Sequence, residues 1–141
     1  MPTQPKVYPY ISATLVISDS IGFPKHSFPV GERFMITFDI MNLTGKPQLY
    51  TLSDPICDIA IWSGDSIVAS FTRYLPAREN IWRDTLWPNH GKGSGWFAPI
   101  MPGSTCCFLP PGKYTATATP IIRFDSVAIE KTDALTFTIT P

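Results

Sequence analysis

Few residues in this chain are of a type and spacing that could do chemistry. There are two histidines, His26 and His90, in separate Gly- and Pro-rich stretches. Neither has a carboxylate nearby in sequence at metal-ligand spacing, so a zinc site would have to be assembled wholly by tertiary contact. The cysteines are Cys57, Cys106 and Cys107. An odd count with a vicinal pair is not a disulfide framework. They read as buried thiols, with a single bridge from Cys57 to Cys106 or Cys107 left open under oxidising conditions. Asp54, Asp58 and Asp65 cluster in sequence, but the Asp-x-Asp spacing of a calcium loop is missing. Asp39 and Asp58 read instead as solvated strand positions. No nucleophile elbow is present to support Ser-His-Asp catalysis. Asn89–Gly95 (NHGKGSG) is glycine-rich but lacks the strand-to-helix setting of a phosphate cradle, and reads as a mobile tip. The expectation is therefore no catalytic residues, no metal, no cofactor and no enzyme activity.

A different kind of signal lies in residues 73–102. This stretch holds Tyr74, Trp82, Trp87, Trp96 and Phe97, with three of the four tryptophans of the chain. It leans basic, with Arg73, Arg78, Arg83 and Lys92 against Glu79 and Asp84. Trp, Tyr and Arg dominate binding hot spots. The candidate partner-binding residues are Arg78, Trp82, Arg83, Trp87, Trp96 and Phe97. Two competing readings are a small core that the insertion packs against the rest of the chain, and a platform for stacking sugars. Exposure of the three indoles decides between docking and packing.

The elements that position these residues follow from composition. The chain has 141 residues, enough for one domain with its own core. Eleven basic residues balance eleven acidic ones. Zero net charge without a basic block argues against nucleic-acid binding. Hydrophobic content of 44% argues against disorder. No apolar run is long enough to span a membrane as a helix. Fifteen prolines leave little room for long helices.

Period-two alternation then marks the strands. Residues 11–18 place Ile11, Ala13, Leu15 and Ile17 on one face. Residues 33–41 place Phe34, Ile36, Phe38 and Ile40 inward. Residues 56–62 do the same with Cys57, Ile59 and Ile61, and Ser63-Gly64-Asp65-Ser66 returns the chain into 67–72 as a hairpin. Residues 104–109, 113–122 and 134–140 complete the set. The expected fold is all-β: a single immunoglobulin-like antiparallel β-sandwich of about seven strands, residues 11–141, preceded by an extended Pro-rich arm at 1–10 and interrupted by a long irregular insertion at 73–102. A barrel is the alternative.

The order of signatures resembles the BsuPI family of intracellular proteinase inhibitors. The resemblance runs over about residues 30–140. It is carried by Phe34–Asn42, by Thr44-Gly45-Lys46-Pro47, by Cys57–Trp62 with the Gly64 hairpin, and by Pro111-Gly112-Lys113-Tyr114. It implies the same sandwich and a protein partner, a protease among the candidates, met by a presented loop. The 73–102 segment is the candidate loop, since the thirty or so residues between hairpin and Pro-Gly strand depart from the family's short connection. The alternative is a structural subunit of an extracellular assembly, self-associating by strand addition through the arm at 1–10 or the terminal strand 135–140. The start MPTQPKVYPY lacks the features of a signal peptide and favours the cytoplasm, or an extracellular setting if the chain is a mature form. Asn42-Leu43-Thr44 matches a glycosylation triplet.

Overall fold

In a computed structural model, residues 7–52, 55–70, 81–98 and 109–141 are described. They hold eleven strands and no helix. In chain order these are β1 (Ser12–Asp19), β2 (Ser27–Pro29), β3 (Phe34–Met41), β4 (Gln48–Leu52), β5 (Cys57–Ser63), β6 (Ser66–Ser70), β7 (Trp82–Leu86), β8 (Gly91–Ala98), β9 (Gly112–Pro120), β10 (Arg123–Phe124) and β11 (Leu135–Thr140). They form a five-stranded sheet β2-β11-β9-β5-β6, a three-stranded sheet β1-β3-β8, and a small accessory sheet β10-β4-β7.

The two larger sheets make the immunoglobulin-like sandwich. Their inward rows are the alternating apolar residues: Leu15 and Ile17 on β1, Phe34 to Ile40 on β3, Cys57, Ile59 and Ile61 on β5, Phe137 and Ile139 on β11. These side chains form one continuous core. Phe34 stacks on Phe28 with ring centroids 4.6 Å apart and meets Phe137 at 5.3 Å, so the aromatic cluster joins the two sheets. The Tyr114 hydroxyl donates to the Pro110 carbonyl at 2.6 Å. A tyrosine tied back to the chain entering its strand is a feature of immunoglobulin-like folds. Every pairing is antiparallel except the three-residue register of β2 with β11. At the β5–β6 turn Gly64 has φ 59°, a conformation that favours glycine.

Three expectations need correction. Residues 82–86 and 91–98 are not irregular: they are strands β7 and β8. Likewise Gly91–Gly95 is not a loop tip but part of β8, in register with Thr37–Met41 of β3. The alternation is invisible in sequence because the outward row of β8 is Gly91, Gly93 and Gly95. A Cβ on Gly91 would lie 2.7 Å from the Ile40 carbonyl oxygen, and one on Gly93 would meet the Asp39 carboxylate. Glycine is therefore required by the close approach of β3, not by a turn. The strand expected at 104–109 lies outside the described residues, except for Leu109, which is buried. The terminal strand 135–140 cannot serve as a free edge, because β11 is flanked by β2 on one side and β9 on the other.

Candidate functional site

The sandwich has two poles. At the upper pole β3 ends, β5 begins and β9 ends; at the lower pole β1 ends and β5 turns into β6. The accessory sheet is built at the upper pole from three separate connections. The segment between β3 and β5 contributes β4, that between β6 and β8 contributes β7, and that between β9 and β11 contributes β10.

Asn42 fastens this pole to the sandwich. Its side chain is fully buried. Nδ2 donates to the carbonyls of Leu86 (2.7 Å) and Lys46 (2.8 Å). Oδ1 accepts from the Thr44 hydroxyl (2.7 Å) and the Thr44 amide (3.0 Å). The Asn42 amide donates to His90 and its carbonyl accepts from Asn89. One residue thus satisfies the turn 42–48, the end of β7 and the entry to β8. The same bonds remove Asn42 as a glycan acceptor in the folded protein, because its amide nitrogen is buried and both its protons are used.

β4 turns Gln48, Tyr50 and Leu52 inward. Its other face carries Leu49 and Thr51, which pair with Thr85 and Arg83 of β7. Arg83 donates to the Thr51 hydroxyl at 2.8 Å and to the Asp125 carboxylate at 2.6 Å. Both charged groups are solvent-exposed, so the pair adds at most about 1 kcal/mol to stability. Its effect is to fix where the guanidinium sits. Arg123 of β10 flanks Thr51 on the opposite side, so two arginines share one row across the sheet.

Trp82, opposite Leu52, is 46% exposed, and Trp87, just beyond β7, is 56% exposed. They bracket the strand at about 17 Å, five steps of about 3.4 Å. Ile81 beside Trp82 is more exposed still. β7 ends its sheet among the described residues.

The sequence-derived candidates therefore divide. Trp82, Arg83 and Trp87 share the exposed β7 region. Trp96 does not: it sits on β8 opposite Ile36 with 3% exposure, and belongs to the core. The indoles split because Trp96 follows the inward row of β8, whereas β7 reaches the core only at Leu86, its last residue. Phe97 takes the register position opposite Met35. Arg78 lies outside the described residues. Thr51, Asp125, Arg123 and Asn42 were not singled out from sequence. Only Asn42 carried a local signal there, an Asn closing an alternating strand with Thr two positions on.

The chemistry-bearing residues stay apart. His26 precedes β2 at the lower pole and His90 precedes β8 at the upper pole. Among the described residues no three His, Cys, Asp or Glu side chains gather as a metal site. Asp58 accepts from the Ser70 hydroxyl at 2.9 Å. Cys57 is buried, and its thiol is pushed up to about 12 by burial, then by the charges of Asp58 and Asp39. Cys106 and Cys107 lie outside the described residues. A thiol whose folded value exceeds its unfolded one contributes stability in full below the unfolded value near 9, and that contribution is lost between 9 and about 12 as the unfolded thiolate becomes favoured. Cys57 is expected to resist alkylation by iodoacetamide at pH 8 in the native protein and to react once urea unfolds it, as read by mass spectrometry.

No protein-family model matches this chain, and no curated protein matches it. Among solved structures it is similar to the alkylpurine DNA glycosylase AlkC of Pseudomonas fluorescens bound to DNA containing an abasic site analog. That likeness has 13% identity and a TM-score of 0.47, and covers 93% of this chain and 30% of the glycosylase chain. It is also similar to a CARDB domain from Pyrococcus furiosus, with 12% identity and a TM-score of 0.38, covering 94% of this chain and 96% of that one. The chain thus spans less than a third of the glycosylase's length, and at these scores neither likeness bears on its activity.

Proposed function

We propose that this protein is a non-catalytic protein-binding module whose partner docks on the accessory sheet. One observation carries the reading: Trp82 at the start of β7 and Trp87 just past its end stand about half exposed, with Arg83 held on the outer face of the strand by Thr51 and Asp125. A backbone already held in a sheet loses little freedom on docking, which leaves more of the contact energy for affinity. A partner wrapping the β7 edge would cover the arginine row on the outer face and reach the indoles at the two ends of the strand, the residue types that make hot spots.

The narrower reading is inhibition of a proteinase. Its support is the sequence resemblance to BsuPI-type inhibitors. The surface offered would be a strand edge and its flanking indoles, not a loop of the irregular insertion expected over 73–102. Titration against a panel of serine proteases tests it. No inhibition at micromolar protein retires the inhibitor reading and leaves the binding module standing.

The broader reading is tested by affinity capture from extracts of the source organism, with wild type and a Trp82→Ala/Trp87→Ala variant in parallel. Both side chains are about half buried, so the variant is expected to stay folded with a stability loss of about 1–3 kcal/mol, checked by its melting temperature before the capture. Hot-spot tryptophans are worth about 2 kcal/mol or more each, so a partner retained by wild type is expected to be retained at least tenfold less by the variant. Equal retention by both proteins removes the accessory sheet as the docking surface.

A further inference from the structure

We propose that the protein also binds a second copy of itself head to tail, with the loop between β1 and β2 of one copy seated in an apolar groove beside β9 and β10 of the next. This goes beyond docking at the accessory sheet: the loop is a separate surface, while the groove shares β10 with that sheet.

The loop spans Asp19–Pro24 at the lower pole. Ile21 is 77% exposed and Phe23 65%, and Ser20–Pro24 carries no charge. The loop is not slack. Asp19 Oδ1 accepts from the amides of Ile21 (3.1 Å) and Phe23 (2.9 Å). The Asp19 amide donates to the Phe23 carbonyl at 2.9 Å, and the Gly22 amide donates back to Asp19 at 3.1 Å. Gly22 holds φ 96°, a conformation that favours glycine. These bonds use both peptide groups of Phe23, so the loop is poorly suited to strand addition. It presents two apolar side chains already in position, which keeps the entropic cost of docking low.

The groove lies at the upper pole. It has a volume of about 380 Å3 and is lined by Pro120, Ile122, Phe124, Val127 and Ile129, with Arg123. Ile122 is buried, while Phe124, Val127 and Ile129 are partly open to solvent.

Three observations favour a second copy over any other occupant. A convex apolar loop and a concave apolar groove occur on one molecule at opposite poles, separated by the eight residues of β1. Asp19 at the base of the loop is opposite in charge to Arg123 at the groove. The chain has zero net charge, so copies do not repel one another. A lipid surface fits less well. Lys25 beside the loop is paired with Glu32 at 3.6 Å, and stable membrane attachment normally needs a second, basic signal besides an apolar one. Because loop and groove are different surfaces at opposite poles, the contact is heterologous, and copies add head to tail past the dimer, as a row or a ring.

Sedimentation velocity and light scattering on the full chain test this, over a series reaching about 1 mM, the weak end of specific association. Wild type is expected to rise in mass past the dimer with concentration. Ile21→Ser/Phe23→Ser, at the loop, is expected to stay monomeric with unchanged melting temperature, and Val127→Lys, at the groove, to stay monomeric and folded with a lowered melting temperature, since Val127 also packs against the core. Mixed together, they are expected to form a one-to-one dimer and stop there, since the first keeps its groove and the second its loop. The proposal is overturned if wild type stays monomeric throughout, if its mass stops at the dimer, if either variant associates like wild type, or if the mixture stays monomeric. Pelleting of monomeric wild type with phosphatidylcholine vesicles would also overturn it and reassign the loop to a bilayer.

Discussion

Phe34→Ala is expected to cost about 4 kcal/mol, the range for truncating a fully buried phenylalanine. Phe34 is 0% exposed and belongs to β3, in the three-stranded sheet. Its ring stacks on Phe28 of β2 and tilts against Phe137 of β11, both in the five-stranded sheet. Phe137 in turn stacks with Tyr114 of β9 at 5.6 Å. Removing the ring takes away the contact between sheets and leaves a void that the strands cannot close without breaking register. The aromatic pairs add about 0.5–1.5 kcal/mol beyond the area buried. Domains of this kind have about 5–15 kcal/mol in all, so the variant is expected to fold weakly. With a urea slope of about 2 kcal/mol per molar, the midpoint falls by about 2 M. Phe34→Leu keeps most of the volume and is expected to lose less than half as much. A midpoint that barely moves for the alanine variant would mean that the two sheets are not joined through this ring.

Asn42→Ala is expected to cost about 3 kcal/mol, because each buried group left without a partner costs about 1–3 kcal/mol and such losses are not additive. The groups left without that partner are the Leu86 carbonyl and the Thr44 amide, while the Lys46 carbonyl keeps the Thr44 hydroxyl at 3.2 Å. Asn42→Asp separates this from simple packing. It has nearly the same shape and keeps the acceptor for Thr44, yet it replaces two donated hydrogen bonds with a carboxylate facing two carbonyls. At neutral pH it is expected to destabilise at least as much as alanine, and to recover part of the loss as acid protonates the carboxylate. Thermal unfolding at pH 7 and pH 4 reads both effects. An aspartate variant as stable as wild type would show that the two donated bonds contribute little.

The sandwich was legible wherever one face of a strand is buried and the other is wet. Phe34-Met35-Ile36-Thr37-Phe38-Asp39-Ile40 announces its own two faces, and the structure buries the expected four residues. The rule fails where a face has no side chains. In β8 the outward row is glycine and the inward row includes Lys92, whose ammonium lies 5.4 Å from the centre of the Tyr50 ring. A lysine that pairs with an aromatic face reads as polar in sequence but sits on the inner side of its sheet. The candidate site was half legible. Residue type pointed to Trp82, Arg83 and Trp87, but the same argument pointed to Trp96, and composition cannot separate an indole on an accessory strand from one in the core. Arg83 could be listed from sequence, whereas Thr51 and Asp125 could not, since the three meet only across strands far apart in the chain.

That separation has a kinetic consequence. β4, β7 and β10 come from residues 48–52, 82–86 and 123–124, so their pairing closes loops of about thirty residues or more. Contacts so distant in sequence become favourable only after the surrounding structure has brought their ends together. The tryptophan-bearing strand is therefore among the last pieces to settle during folding. It is also shallowly protected, with exposed residues at three of its five positions. Local opening at the exposed end of this strand disturbs little of the core beyond Leu86, so this pole can loosen and reseat many times within the lifetime of one folded molecule.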